Sequence, residues 1–318
     1  MSRSARVRHW AEIDEVTFVA GIRFLLLAYR TFGRSLFRAL LYPTVVFYIA
    51  TNARARAASR GYLTRMIRAG ALPDASVGPR LLIRHFSSFA ECIFDKVRIW
   101  NDPSEPVPVE FHDRQVVADQ IALGRGGIIV MSHLGNIELC RVLAKQRAGL
   151  RLTVLVHTKH AVAFNRLLAE LNPESGLDLW QVTDLSPEAA MRIGEKIDRG
   201  EFVVMAGDRI PISPAPRVAF AEFLGDRAAF PVGPYILASA LQCPLYLLFC
   251  LRRGDEYHVH YEMFRDRIDL PRKERVPVLN GLVAEYAKRL EHYCRIAPLE
   301  WCNFFDFWAE SGAGWNHG

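Results

Sequence analysis

The residues best suited to catalysis in this 318-residue sequence are His133 and Glu138. His133 follows the apolar, partly β-branched run 128–131, which predicts a buried strand ending near Ser132. After a short turn over 134–136, apolar residues at helical spacing place Glu138 in the first turn of a helix. Because α/β folds carry their chemistry at the C-terminal ends of strands, the imidazole should face a cleft with the carboxylate beside it. A base oriented by an acid can activate a hydroxyl for acyl transfer.

Other interpretations of this stretch stay open. His133 could be a core histidine whose hydrogen bonds are satisfied by a helix-capping Glu138. Ser132 could be proposed as a nucleophile, but it lacks the Gly-x-Ser-x-Gly elbow that such serines use. The glycine-rich segment 124–127 precedes the strand instead of following it, so it does not predict a phosphate-binding loop.

A second strand end carries charged residues. The apolar run 202–205 predicts a strand, and Asp208 and Arg209 follow it, so they should open onto the same sheet edge as His133. An arginine at this place can bind a phosphate or carboxylate with two donors. The alternative is an ion pair that fixes a loop, and of the two residues Asp208 is the one expected to be structural.

The six residues 133–138 also resemble a known motif. His-Leu-Gly-Asn-Ile-Glu is similar to the His-x4-Asp/Glu motif of the lysophospholipid (glycerolipid) acyltransferase superfamily, and to its His-x-Gly-Asn-x-Glu form in the late acyltransferases of lipid A. The resemblance implies that His133 is the general base, that Glu138 orients it, and that Gly135 and Asn136 take part in substrate binding. The segment 207–211 and the blocks 223–225 and 230–234 resemble later motifs of that branch, which implies that Asp208 and Arg209 bind substrate, with Arg209 on a phosphate.

The C-terminal segment 301–308, Trp-Cys-Asn-Phe-Phe-Asp-Phe-Trp, is unusually aromatic. It resembles the ending of bacterial acyltransferases encoded with aryl polyene and related pigment pathways, apart from Cys302. Judged by residue type alone, these aromatic side chains belong either to the core or to a belt at a membrane interface. We favour the core.

The N-terminal segment is strongly basic. Residues 1–70 contain twelve arginines and three acidic residues, whereas the whole chain has a net charge of +6. Four of the arginines, at 23, 30, 34 and 38, share one side of a predicted helix, and aromatic and aliphatic residues occupy the other. This pattern is typical of a helix that lies in a membrane interface with anionic lipids. An ordinary surface helix remains possible, and the absence of a recognition motif argues against nucleic acid.

The order of predicted elements indicates an α/β fold with a mixed, mostly parallel central sheet flanked by helices. We expect a helical membrane-associating segment over 1–72 and an α/β acyltransferase domain over 73–318. The six cysteines form no Cys-x-x-Cys pair, which predicts reduced core thiols. His157 and His160 could be part of a metal site, but no third ligand is evident, and we expect neither metal nor cofactor.

The resemblance, together with the basic N-terminal segment, implies an O-acyltransferase at the cytoplasmic face of a bacterial inner membrane, attached peripherally or inserted shallowly. The donor would be a thioester of acyl carrier protein or coenzyme A, and the acceptor a lipid hydroxyl. The alternative is an ester or thioester hydrolase in which the same pair activates water. A membrane-binding protein without activity is a third reading, which the intact His, Asn and Glu argue against.

Overall fold

The structure is a computed structural model that describes residues 27, 31, 39–101, 107–136, 139–140, 151–156, 178–181, 186–211 and 216–308. Within them, the helices are α1 (39–51), α2 (Ala53–Arg68), α3 (Pro79–Asn101), α4 (Arg114–Ala122), α5 (Pro187–Asp198), α6 (Gly233–Leu241) and α7 (Arg275–Ile296). The strands are β1 (Val109–His112), β2 (Gly127–Gly135), β3 (Leu152–Val156), β4 (Asp178–Gln181), β5 (Phe202–Ala206), β6 (Val218–Phe223), β7 (Asp226–Pro231), β8 (Leu245–Arg253) and β9 (Glu256–Arg265).

Seven strands form one mixed sheet in the order β1-β9-β8-β2-β5-β3-β4, which confirms the predicted α/β class. Every neighbouring pair is parallel except the β8–β9 hairpin. β2 lies in the middle, with β8 and β5 on its two sides. Ile128 and Val130 of β2 face one side of the sheet and Ile129 faces the other, and all three are buried. A central parallel strand covered on both faces explains the continuous apolar run.

The larger core lies on one face of the sheet, where α2, α5, α6 and α7 contribute buried side chains. The smaller core lies on the other face, with Val116 and Ile121 of α4 packed against it. α2 shares the larger core through Tyr62, Leu63 and Met66, although it falls on the N-terminal side of the predicted boundary at residue 72. That boundary itself stays a prediction.

α1 presents two different faces. Leu41 and Val45 are buried in a third apolar cluster with residues of α3, whereas Tyr42, Val46 and Phe47 are exposed. Most of the basic helix predicted upstream lies outside the described residues. No helix among the residues that the structure describes is both long and apolar enough to cross a membrane.

The structure differs from the predicted elements in two places. The strand that carries His133 does not end near Ser132; β2 continues to Gly135 because Gly135 pairs with Cys250 of β8 and Leu134 bridges to Trp301. β7 was not predicted, since its sequence has no polar–apolar alternation. It forms a separate hairpin with β6 through Leu224 and Gly225, both of which have a positive φ. A leucine in that conformation gives no recognisable turn signal.

Candidate active site

Two neighbouring parallel strands bring the polar residues together. β2 and β5 pair through Met131 and Ala206, so the residues that follow each strand leave the sheet side by side. The Gly207 N–H donates to the Met131 carbonyl at 2.7 Å, which continues the ladder by one step. A Cβ on Gly207 would lie 2.5 Å from Val130 and 2.6 Å from Tyr286, so only glycine allows this approach.

Asp208 holds His133 by two hydrogen bonds. Its Oδ1 lies 2.8 Å from the imidazole Nδ1, and its Oδ2 accepts the backbone N–H of His133 at 2.7 Å. Oδ2 also accepts the indole N–H of Trp301 at 3.0 Å. The carboxylate therefore fixes the ring through one oxygen and the backbone of the same residue through the other.

The surroundings keep Asp208 ionised. Its side chain is fully buried, and burial alone would raise its pKa. The charge of His133 and the hydrogen bonds to it, together with the charge of Arg209, outweigh burial and hold the pKa of Asp208 below its ordinary value. An ionised carboxylate can only accept, so Nδ1 carries the proton and the lone pair of the neutral ring lies on Nε2.

The two members of this pair differ in exposure. The His133 side chain is 38% exposed, whereas that of Asp208 is inaccessible. A substrate can therefore reach the imidazole but not the carboxylate. This is the arrangement that general-base catalysis needs, with the acid acting through the base.

A bulge and a glycine set the direction of His133. The register between β2 and β8 shifts between Met131 and Gly135, so the strand bends where His133 sits. Gly135 has φ +70°, and a Cβ there would lie 1.7 Å from the Cys250 carbonyl oxygen. Its N–H donates to the Glu300 carbonyl, and the Cys302 N–H donates to the His133 carbonyl. Residues 300–302 thus line the bent end of β2.

Trp301 connects the pair to the core. Its side chain is fully buried among aromatic rings of the core, including Tyr62, Phe223 and Phe307, which confirms the core assignment of the aromatic ending. Its carbonyl accepts from Nε2 of buried His85 at 3.2 Å, and Nδ1 of that ring accepts from the Ser59 hydroxyl at 2.8 Å. Burial lowers the pKa of His85 to about 4, so this ring is neutral.

Asn136 is held inside the protein. It is 1% exposed; its Oδ1 accepts the Leu139 N–H at 3.3 Å, and its Nδ2 donates to the Tyr257 hydroxyl at 3.4 Å. That hydroxyl donates in turn to the buried carboxylate of Asp95. Direct contact between this amide and a substrate would require these bonds to break, so the geometry favours a structural role for Asn136.

Arg209 brings a positive charge next to the pair. Its guanidinium lies 4.8 Å from the ring centroid of Phe305. Burial lowers the pKa of Arg209 to about 10, against the opposing effects of Asp208 and Cys302, so the side chain remains cationic at neutral pH. A cation on an aromatic face can bind an anionic substrate group without the cost of burying a lone charge.

Glu138 lies outside the described residues, so its predicted role as orienting acid stays a prediction, and His157 and His160 also lie outside them. The structure shows that Asp208 is hydrogen-bonded to Nδ1 of His133. From the sequence alone, Asp208 is expected to bind substrate or to fix a loop. The signal for its contact with His133 was present, because the runs 128–131 and 202–205 both end in polar residues and such strands often neighbour each other.

A buried carboxylate, an oriented and accessible imidazole and an adjacent guanidinium can together deprotonate a hydroxyl near an anionic group. No curated protein compared with this chain matches it. The family model for bacterial lipid A biosynthesis acyltransferases matches residues 20–308, nearly the whole chain. The chain therefore belongs to the bacterial lipid A biosynthesis acyltransferase family and is an acyltransferase that acts on lipids.

Proposed function

We propose that this enzyme transfers an acyl chain from a thioester, carried by acyl carrier protein or coenzyme A, to a hydroxyl group of a lipid acceptor. The observation that carries the mechanism is the contact between His133 Nδ1 and the buried carboxylate of Asp208 at 2.8 Å. Nε2 of His133 removes the proton from the acceptor hydroxyl. The oxygen then attacks the thioester carbonyl, and the thiolate leaves as the free thiol after protonation. The protein residues supply the base, so no covalent acyl-enzyme is needed.

Arg209 is proposed to bind a phosphate of the acceptor or the donor. The support is its position directly after Asp208, its cationic state and its contact with Phe305. Arg209→Ala should raise the KM for a phosphorylated substrate more than it lowers kcat, because the charge binds a group away from the reacting oxygen. An unchanged KM for donor and acceptor would refute the phosphate role.

We also propose that α1 attaches the enzyme to the cytoplasmic surface of the bacterial inner membrane. Phe47 is 69% exposed, Tyr42 and Val46 of the same helix are also exposed, and the arginine-rich α2 follows directly. Phe47→Glu should weaken binding to vesicles that contain anionic phospholipid. Met191→Glu is the matched control, because Met191 is also 69% exposed but lies on α5. Equal binding by the two variants would refute this attachment.

The reaction is tested by supplying acyl thioester with and without a lipid acceptor and following both products by mass spectrometry. We expect acylated lipid to form only when acceptor is present, and parallel reactions with a fatty and an aryl polyenoic thioester to show which chain is transferred. Release of free acid without acylated lipid would instead establish a hydrolase. His133→Ala should lower the rate on the order of 10²–10⁴-fold, and His292→Ala, at an exposed position on α7, should not. Normal turnover by folded His133→Ala would refute the general-base role.

A further inference from the structure

A cluster of two histidines and one glutamate lies at the edge of the sheet, away from the catalytic strand. Edge strand β1 pairs in parallel with β9, placing Glu110 opposite His258 and His112 opposite His260. Alternate residues of a strand share a face, so these four side chains stand together on one side of the two strands. His258 is buried, His112 is about one-third exposed and Glu110 about half exposed, so the cluster is open to solvent on one side.

The distances among three of these side chains match the spacing of metal ligands. His112 Nε2 lies 3.0 Å from His258 Nδ1. Oε2 of Glu110 lies 3.3 Å from His258 Nδ1, and Oε1 of Glu110 lies 3.7 Å from His112 Nε2. Zinc–ligand bonds of about 2.0–2.1 Å in a tetrahedron separate ligand atoms by about 3.3 Å. The two ring nitrogens and one carboxylate oxygen all lie within 4.8 Å of one another, so a small shift of the exposed Glu110 side chain is enough to bring one oxygen to the third corner of such a tetrahedron.

Neighbouring rings hold the ligands in position. His260 stacks on His112 with centroids 4.3 Å apart and planes 6° apart, and it also contacts Tyr293 of α7 at 5.0 Å. A ring whose orientation is already fixed loses little freedom when it binds a cation. The exposed side leaves room for water as a fourth ligand.

We propose that Glu110, His112 and His258 form a binding site for a transition-metal dication, with Zn²⁺ as the best occupant. Two imidazoles and one carboxylate favour Zn²⁺ over Mg²⁺ and Ca²⁺, which prefer oxygen ligands throughout. The ion takes the place of the proton that lies between the two ring nitrogens, and that proton moves to the other nitrogen of the same neutral ring. It joins β1 to β9 and so fastens the edge strand of the sheet. This site is separate from the acyl-transfer residues and does not depend on the proposed function.

The experiment uses full-length protein stripped of metal, titrated with Zn²⁺ in competition with a chromophoric chelator. We expect His112→Asn, His258→Asn and Glu110→Gln each to lower the affinity for one Zn²⁺ equivalent by at least about tenfold. Even the loss of a residue that only supports a ligand lowers metal affinity by this much. His292→Asn is the control for an exposed imidazole outside the cluster and should bind as the wild type does. Co²⁺ should give the visible absorption of a tetrahedral site, and this absorption should vanish in the three cluster variants.

Zn²⁺ should also raise the melting temperature of the wild type and of His292→Asn, but not of the cluster variants. Mg²⁺ at the same concentration should have no such effect. Glu110→Gln keeps the test decisive if a histidine variant fails to fold, because Glu110 is at the surface. Unchanged Zn²⁺ affinity in the folded cluster variants, or equal effects of Mg²⁺ and Zn²⁺, would show that the histidines only hydrogen-bond to each other and would overturn the proposal.

Discussion

Replacing Asp208 with Asn should reverse the tautomer of His133. Oδ2 of Asp208 lies between two donors, the His133 N–H at 2.7 Å and the Trp301 indole N–H at 3.0 Å. An amide NH₂ group cannot occupy that position, because it would face two further donors. The amide oxygen must therefore stay there and the NH₂ group must face Nδ1. Nδ1 then becomes an acceptor, and the proton of the neutral ring moves to Nε2.

This change should lower the rate on the order of 10²–10⁴-fold, because Nε2 can no longer accept the proton of the acceptor hydroxyl. The loss corresponds to about 3–6 kcal/mol of barrier at about 1.4 kcal/mol per tenfold. The side chain keeps its size and its two contacts at Oδ2, so the fold should survive. Steady-state acyl transfer measures the rate, and nitrogen NMR of labelled histidine reports the tautomer directly.

Glu138→Gln is the comparison that makes the test sharp. If Asp208 is the residue that orients the base, Asp208→Asn should reduce the rate and change the tautomer, whether or not Glu138→Gln also reduces the rate. A folded Asp208→Asn protein with normal turnover and an unchanged His133 tautomer would refute the reasoning. In that case Glu138 would be the residue that orients the base, and only Glu138→Gln should lower the rate of acyl transfer.

Three further predictions concern the residues around the pair. Trp301→Phe removes one donor to the buried Asp208 carboxylate, and urea unfolding should show a loss of about 1–3 kcal/mol; an unchanged free energy of unfolding would mean that the bond is replaced. Gly135→Ala puts a Cβ 1.7 Å from the Cys250 carbonyl oxygen at φ +70°, so it should cost more than about 2 kcal/mol of stability, whereas Gly254→Ala, with a similar φ and open space, should cost less. Burial raises the pKa of Glu300 to about 7, against hydrogen bonds from the Arg252 backbone and the charge of Arg252. The protonated side chain therefore stabilises the folded state. This contribution is fully present below about pH 4.5, and about 3 kcal/mol of it is lost as the pH rises through 7. Glu300→Gln should escape that loss, and a stability difference from wild type that stays constant between pH 4 and pH 8 would contradict the prediction.

The sheet could be predicted from the sequence because its central strands are continuous apolar runs. Runs such as 128–131 and 202–205 are typical of parallel strands buried on both faces. β7 could not be predicted in this way, because its hairpin turn uses Leu224 in a left-handed conformation. Alternation is also absent there, so neither of the usual strand signals was available.

The position of His133 near a strand end could be predicted, but its contact with Asp208 is only suggested by the sequence. The strand end after 128–131 identifies His133 by local pattern alone. Asp208 is 75 residues further along the chain and reaches His133 only because β5 happens to be the neighbour of β2. The burial of the Asn136 amide could not be predicted either, since its partner Tyr257 comes from β9 and the Tyr257 hydroxyl is held in turn by Asp95 of α3.

Trp301 comes 93 residues after Asp208 and bonds to it, and the adjoining peptide groups bond to the bent end of β2. During synthesis His133 and Asp208 would therefore leave the ribosome long before the segment that secures them. A nascent chain stalled at residue 299 would carry both reactive groups without the indole that shares the aspartate's charge. Such a chain would lack a settled arrangement of His133 and Asp208, so competence for acyl transfer would come only after residues 300–302 have been added.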